Sequence, residues 1–474
     1  MPATNGSDLT RHHLEKVRTF YETTPPEPNR VSRGYRELLA HYYNLLIPPD
    51  AKVLEIGCGA GGLLARLRAT RKAGIDLSER KIMAAQARVP DADLHVQAGE
   101  ELSLPEKFDA VIVSDTLNYS ADVQQLLEKL HGVAHADTRL IVNFPSALWR
   151  PLFSLGRWLG LKSDEPQSSW LATTDVLNLL QLADWEALQV QPRLLLPLRL
   201  GGVEKIFNRL LAPLLPFFCL TVFVVARQRR TAAAQPLTVS VVIPARNEAG
   251  NIQAAVERTP ELGAGTELIF VEGHSRDNTW EEIQRVAAAF PQRRIKTLRQ
   301  TGKGKGNAVR EGFAAATGDI LMILDADLTM PPEELPKFYD VIACGRAEFA
   351  NGVRLVYPME ERAMQFLNLC ANKTFGLLFT WLLGQHVKDT LCGTKVLSRL
   401  HYEKIVANRG YFGDFDPFGD FDLLFGAGKL NLKIADVPIR YRERTYGTTN
   451  IQRWSHGWLL LRMVVFAARK LKFV

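Results

Sequence analysis

ILMILDADLTMPPEEL occupies residues 320–335. An apolar run ends in two carboxylates, Asp325 and Asp327, one residue apart. In a strand, residues i and i+2 point to one side, so the pair is expected to converge where the strand ends. Ligands of open parallel sheets sit beyond the carboxyl ends of the strands. Two close carboxylates repel unless something positive lies between them, and a hard, oxygen-seeking cation such as Mg2+ or Mn2+ meets that need. Such an ion keeps positions open for a diphosphate and neutralises charge growing on a nucleotide leaving group. The competing reading is one helix cap and one solvated turn residue.

The flanking sequence repeats the same plan. VSVVIPARNEAGNI (239–252) and ELIFVEGHSRDNTWEEI (267–283) each run from an apolar strand through a polar turn into a helix. GKGKGNAVREGFAAATGD (302–319) is a basic, glycine-rich loop followed by a helix. Strands alternating with helical patterns predict a parallel α/β sheet.

VVIPARNE, GKGNAVREG, ATGDILMILDADLTMPPEEL and VPIRYRER occur in the order in which the inverting glycosyltransferases of family 2 carry them. The resemblance covers residues 237–450 and implies a GT-A fold. It is closest to the enzymes that glycosylate polyprenyl phosphates, through VKDTLCGTKVLSR (387–399) and GDFDLLFGAGKLNLKIADVPIRY (419–441). It implies that Pro244, Arg246, Glu248, Glu272 and Asp277 line a nucleotide pocket and that Lys305 approaches a phosphate or the base. Asp325 and Asp327 would carry the metal. Asp420 and Asp422 match the acidic positions before Leu423 and Leu424, as a base or to orient the acceptor; a helix N-terminus that favours acid is the alternative. Arg354, Arg362 and Arg444 are candidates for an acceptor phosphate, since arginine forks suit its oxygens; surface ion pairing is the other reading. One turn departs from the family: Asp-Asp-Gly-Ser is usual, and here Glu272, Gly273, His274 and Ser275 stand.

The first half has its own signature. AKVLEIGCGAGGLLARL (51–67) is a short apolar strand, a glycine loop and a helical pattern. Gly57, Gly59 and Gly61 permit a tight turn and close backbone approach. Asp76, about 20 residues on, sits where a carboxylate can accept from ribose hydroxyls. Glu55, directly before the glycines, suits a ligand with a positive end better than a pyrophosphate. VLEIGCGAG, GIDLS and LPEKFDAVIVSDTLNY resemble the Rossmann-like S-adenosyl-L-methionine-dependent methyltransferases over residues 30–228. The resemblance implies that Glu55 and the loop hold the methionine end and Asp76 the ribose, while Asp115 and Asn118 face the sulfonium or the acceptor; a strand-end polar pair capping the next helix is the other reading of these two. The family often has an acidic residue after the next strand to contact adenine, and here that stretch reads Ala98, Gly99, Glu100 and Glu101, with no one register picked out. No general base stands out, and alignment of reactants can supply much of a methyl-transfer rate.

A chain of 474 residues exceeds what one core usually supports, roughly 250–300. A charged, small-residue stretch near 228–236 predicts the join: a methyltransferase-like domain over 1–230 and a glycosyltransferase domain over 236–474. Net charge is +7 and pI about 9.1, compatible with anionic lipid or a phosphorylated substrate. There is no nucleic-acid recognition motif. Five scattered cysteines without metal-ligand spacing suggest reduced thiols in the cytoplasm. LLAPLLPFFCLTVFVVA (210–226) reads as a turn feeding a buried strand, not a span. The basic C-terminal stretch reads either as a packed amphipathic helix or as a peripheral contact with the inner face of the membrane. The expected activity is metal-dependent transfer of a sugar from a nucleotide sugar to a polyprenyl phosphate or other lipid-linked acceptor, with methylation of a second acceptor. The alternative is a soluble sugar or protein hydroxyl as acceptor, with the first domain a non-catalytic scaffold or sensor.

Overall fold

The computed structural model describes residues 6–23, 30–158, 171–230, 232–233, 235–356, 366–411, 421–442, 444, 446 and 453–474. The chain forms two compact units, Met1–Arg229 and Arg230–Lys472.

The first unit holds seven strands: β1 (Lys52–Ile56), β2 (Arg71–Asp76), β3 (Asp93–Val96), β4 (Phe108–Ser114), β5 (Ala134–Pro145), β6 (Trp185–Arg193) and β7 (Thr221–Gln228). Their order is β3-β2-β1-β4-β5-β7-β6. Strands β1 to β5 pair in parallel, and β7 runs antiparallel to both β5 and β6. This is a doubly wound, Rossmann-like sheet. Two apolar clusters cover its faces, one around Leu54, Val111, Val142 and Trp185, the other around Tyr43, Val53, Ile112 and Phe223. The order reverses between β1 and β4, and the crevice at such a reversal is where open α/β sheets take ligands. Residues 210–226 divide as their composition predicts: Pro216–Phe218 is a single 3-10 turn, and buried β7 follows.

The second unit holds β8 (Val239–Ala245), β9 (Thr266–Glu272), β10 (Arg294–Arg299), β11 (Ile320–Ile323), β12 (Phe349–Val353), β13 (Lys395–Ser398) and β14 (Ile434–Pro438). The order is β10-β9-β8-β11-β13-β12-β14, with β13 antiparallel to β11 and β12 and the other pairs parallel. β8, β9 and β11 are buried along almost their whole length, which is why they read as unbroken apolar runs. Here the order reverses between β8 and β11. Among the described residues no helix is long and apolar enough to cross a membrane.

Candidate functional site

In the first unit the chain leaves β1 through Gly57, Gly59 and Gly61, all at positive φ. Gly57 is required twice over. Its φ is 72°, and a Cβ there would lie 2.5 Å from the Thr116 hydroxyl, which donates back to the Ile56 carbonyl. Asp76 ends β2 and braces the loop: one carboxylate oxygen accepts from the Gly59 N–H at 2.8 Å, the other from the Ser78 N–H at 3.0 Å. Burial pushes its pKa up, and those backbone donors pull it part of the way back.

Glu55 sits on β1 next to this loop and is buried, with one carboxylate oxygen, Oε2, lacking any hydrogen-bond partner among the described residues. Burial pushes its pKa up to about 8, against partial relief from Arg36. A buried acceptor without a donor is costly, so this atom fits a cationic or N–H donor brought by a ligand, as the amino end of S-adenosyl-L-methionine would be. At the exit of β4, Asp115 adopts φ 51° and accepts from the Asn143 amide at 2.8 Å. Asn118 is buried in the turn beyond. Glu100 is spent elsewhere: it accepts from the Ser120 hydroxyl at 2.7 Å and the Ala121 N–H at 2.8 Å, tying down the segment after β4.

The second unit's acidic pair lies past the end of its strand. β11 stops at Ile323, and a turn follows in which the Leu328 N–H donates to the Asp325 carbonyl at 3.1 Å. The alternation of a strand therefore does not orient the pair; the turn does. Asp325 meets Lys305 Nζ at 2.6 Å. Asp327 accepts from the Thr329 hydroxyl at 2.8 Å through one oxygen and from Arg444 at 2.6 Å through the other. Arg444 also donates to Glu248 at 3.2 Å. Glu248 is buried and accepts from Asn251 at 2.7 Å; burial raises its pKa, against the pull of Arg444. Asp277 braces the neighbouring turn through Thr279, with a longer 3.5 Å contact from the Ala249 N–H. Glu272, buried at the end of β9, accepts from the Ser275 N–H. Pro244 is half-buried in β8, and Arg246 is exposed just beyond it. Two sets of ionic contacts, Lys305–Asp325 and Asp327–Arg444–Glu248, thus stand beyond the carboxyl ends of β8 and β11.

The sequence reading missed Gly393. A Cβ at this position would lie 2.1 Å from an Asp325 oxygen and 2.4 Å from Lys305 Nζ. The space over Asp325 exists because residue 393 has no side chain. Carboxylate oxygens beside a cradle of that kind fit a hard divalent cation. The signal was present in LCGT (391–394), two residues after the acidic Asp389.

Two other candidates have partners of their own. Arg354 grips Asp389 with a two-pronged fork, 2.7 and 2.9 Å, and Asn372 adds a third bond to the same carboxylate at 3.0 Å. Burial would push Asp389 up, but Arg354 prevails and holds it near about 2. The fork read as a phosphate ligand is therefore closed on a buried acid. Asp422 opens the helix Phe421–Lys429 and is flanked by Arg310 at 3.1 Å and Arg409 at 3.3 Å. Arg362 and Asp420 lie outside the described residues.

Comparison with known proteins agrees with both sheets. Residues 240–405 match the model of glycosyl transferase family 2, and residues 54–142 match a methyltransferase domain. A dolichol-phosphate mannosyltransferase of Pyrococcus furiosus is 37% identical over 226 residues, 46% of this chain and 60% of its own. An undecaprenyl-phosphate 4-deoxy-4-formamido-L-arabinose transferase of Pectobacterium carotovorum is 27% identical over 44% of this chain and 62% of its own. A dolichyl-phosphate hexose transferase of Haloferax volcanii is 30% identical over 46% of this chain and 86% of its own. The chain thus spans only 60% and 62% of the length of the first two of these relatives.

Proposed function

Because this chain belongs to glycosyl transferase family 2 through its second unit and carries a methyltransferase domain in its first, we propose that it transfers a sugar from a nucleotide sugar to a polyprenyl phosphate and methylates a further acceptor with S-adenosyl-L-methionine. The observation that carries the first reaction is the pair of ionic sets Lys305–Asp325 and Asp327–Arg444–Glu248 at the strand-order reversal, the first of them beside the Gly393 cradle. The kinship with polyprenyl-phosphate transferases supports the acceptor class.

In this reading Asp325 and Asp327 hold Mg2+ or Mn2+, which when bound neutralises charge on the departing nucleoside diphosphate. Lys305 and Arg444 keep the two carboxylates apart and oriented while the donor is absent. Glu248, Glu272 and Asp277 shape the base and ribose end, and Pro244 and Arg246 border it. The acceptor oxygen attacks the anomeric carbon from the face opposite the leaving diphosphate, which inverts that centre. A phosphate acceptor is already anionic, so no proton needs to be removed. Asp422, held between two arginines, is then an orienting group, and Arg354 positions the strand end through Asp389.

In the first unit, S-adenosyl-L-methionine supplies an electrophilic methyl group when bound. Glu55 accepts from its amino end, the Gly57–Gly61 loop admits its backbone-hugging portion, and Asp76 reaches the ribose. Asp115 and Asn118 face the acceptor side. Contact with the membrane is peripheral in this reading, and the helix Arg453–Leu471, with Trp458, Leu461 and Val465 exposed, is one element that would make it.

The test is thermal shift of the full chain with a panel of nucleotide sugars, with and without Mn2+, followed by transfer to a short-chain polyprenyl phosphate. One nucleotide should stabilise the wild type only with metal, and Asp325→Ala with Asp327→Ala should abolish the response. Metal-independent stabilisation, or an unchanged response in the double variant, sinks the metal assignment. Transfer to a soluble sugar but to no polyprenyl phosphate sinks the acceptor assignment.

A further inference from the structure

The first unit carries a surface that its cofactor loop does not explain. Between β6 and β7 the chain runs through a short π-helical segment, Ile206–Leu211, preceded by the turn Val203–Lys205. This segment is inside out. Two of its polar residues, Glu204 and Asn208, are each 4% exposed, while Val203, Ile206, Phe207 and Leu210 face solvent. The burial of the polar pair is purposeful. Glu204 accepts from the N–H groups of Leu200 and Gly202 at 2.9 Å, and Asn208 bonds the Leu196 backbone in both directions. Those bonds pin the segment with its apolar side outward.

The apolar side continues. Leu214 is 62% exposed and Phe217 71% exposed, and Phe218 is exposed beside it. The Trp149 indole N–H donates to the Phe218 carbonyl at 3.1 Å, which joins this segment to the one following β5. There Leu152 and Leu155 are exposed and Trp158 is 81% exposed. Scattered exposed apolar residues are ordinary, but a contiguous patch with large aromatic tips marks an interaction site.

The charges around the patch are mainly positive. Arg150, Lys205 and Arg209 are exposed within 147–158 and 198–218, Arg199 is exposed but paired with Glu37, and the sole acidic residue of these stretches themselves is the buried Glu204. We propose that residues 147–158 and 198–218 form an interfacial surface that docks the first unit on an anionic lipid membrane. Aromatic and leucine tips enter the headgroup region, and the surrounding cations meet lipid phosphates. A rim with an excess of exposed cations suits anionic lipid headgroups. The surface also has a consequence for chemistry. β4, β5 and β6 run parallel and β7 antiparallel, so both segments emerge from the sheet edge that carries the Gly57–Gly61 loop. A methyl acceptor carried on a lipid would meet that edge from the membrane side.

The proposal rests on the first unit alone, whatever sugar the second unit transfers. Its test is flotation of the full chain with vesicles of phosphatidylcholine alone and of phosphatidylcholine with phosphatidylglycerol, at low and high salt. Binding is expected to the anionic vesicles, weakened by salt, and to fall by about tenfold in Leu214→Glu with Phe217→Glu. The same double variant should keep the thermal shift of the wild type with S-adenosyl-L-methionine, which establishes that the unit is folded. No binding by the wild type overturns the proposal, as does unchanged binding in the folded variant. Sedimentation velocity supplies the remaining outcome: a dimer that Leu214→Glu with Phe217→Glu converts to monomer makes the surface a contact between two copies and overturns membrane docking.

Discussion

Glu55 shows how a residue proposed to bind a ligand can work against the fold that holds it. Its pKa, about 8 against an ordinary value of 4.5, means that the folded state disfavours the carboxylate. The penalty is absent below about pH 4.5, grows as pH rises, and is complete above about pH 8. Glu55→Gln removes the charge with little change of shape. We expect the variant to melt higher than wild type at pH 8 to 9, to match it near pH 4, and to lose S-adenosyl-L-methionine binding by calorimetry. A wild-type melting advantage at pH 9 would contradict the burial argument. Gly393 offers a second residue-scale test. Its backbone is not in the left-handed region, so Gly393→Ala adds only a methyl group, 2.1 Å from an Asp325 oxygen. The expected result is loss of the metal-dependent nucleotide response with a small change in melting temperature, read by thermal shift with and without Mn2+.

At the scale of elements, the strand ends decide which charges meet. β8 delivers Glu248 and β11 delivers Asp325 and Asp327 to one edge. Lys305 arrives as the first residue of the helix Lys305–Ala315. β12 ends at Val353, so the next residue, Arg354, turns onto Asp389. That pair is buried, and breaking it from one side leaves an uncompensated charge, which costs about 3–5 kcal/mol. Arg354→Ala should therefore lower stability by about that amount in urea unfolding, whereas a phosphate ligand would give a raised KM with stability intact. The pair also carries a pH signature. Asp389 is depressed to about 2, so its contribution is complete above the ordinary aspartate value of 3.8 and is lost as pH falls toward 2.

For the whole molecule, two sheets with separate cores and separate strand-order reversals lead us to expect that the two proposed ligand sites titrate independently. Glu55→Gln should abolish stabilisation by S-adenosyl-L-methionine and leave the nucleotide–metal response intact. Asp325→Ala with Asp327→Ala should do the reverse. Loss of both responses in either variant would show that the sites are coupled. The two fold types were readable from the chain because their signals are local: apolar runs of strand length, glycines at a strand exit, and carboxylates one turn beyond. A glycine loop needs positive φ wherever it occurs, and a buried parallel strand must be apolar on both faces, so Gly57 and the run before Asp325 announced themselves. Partnership is not local. Arg354 and Asp389 are 35 residues apart, and Arg444 and Glu248 are 196 apart. No spacing rule distinguishes an arginine aimed at a phosphate from one closed on a buried acid. The outward apolar face at 203–218 was equally hidden, because its composition matches a buried segment and only the hydrogen bonds of Glu204 and Asn208 turn it around. The sequence by itself determined two α/β units and the chemical type of each strand-end residue, since backbone conformation and burial restrict residue choice position by position. Tertiary structure alone decided which charges pair, which carboxyl oxygen is left without a donor, and which apolar residues face water, since those depend on contacts between residues far apart in the chain.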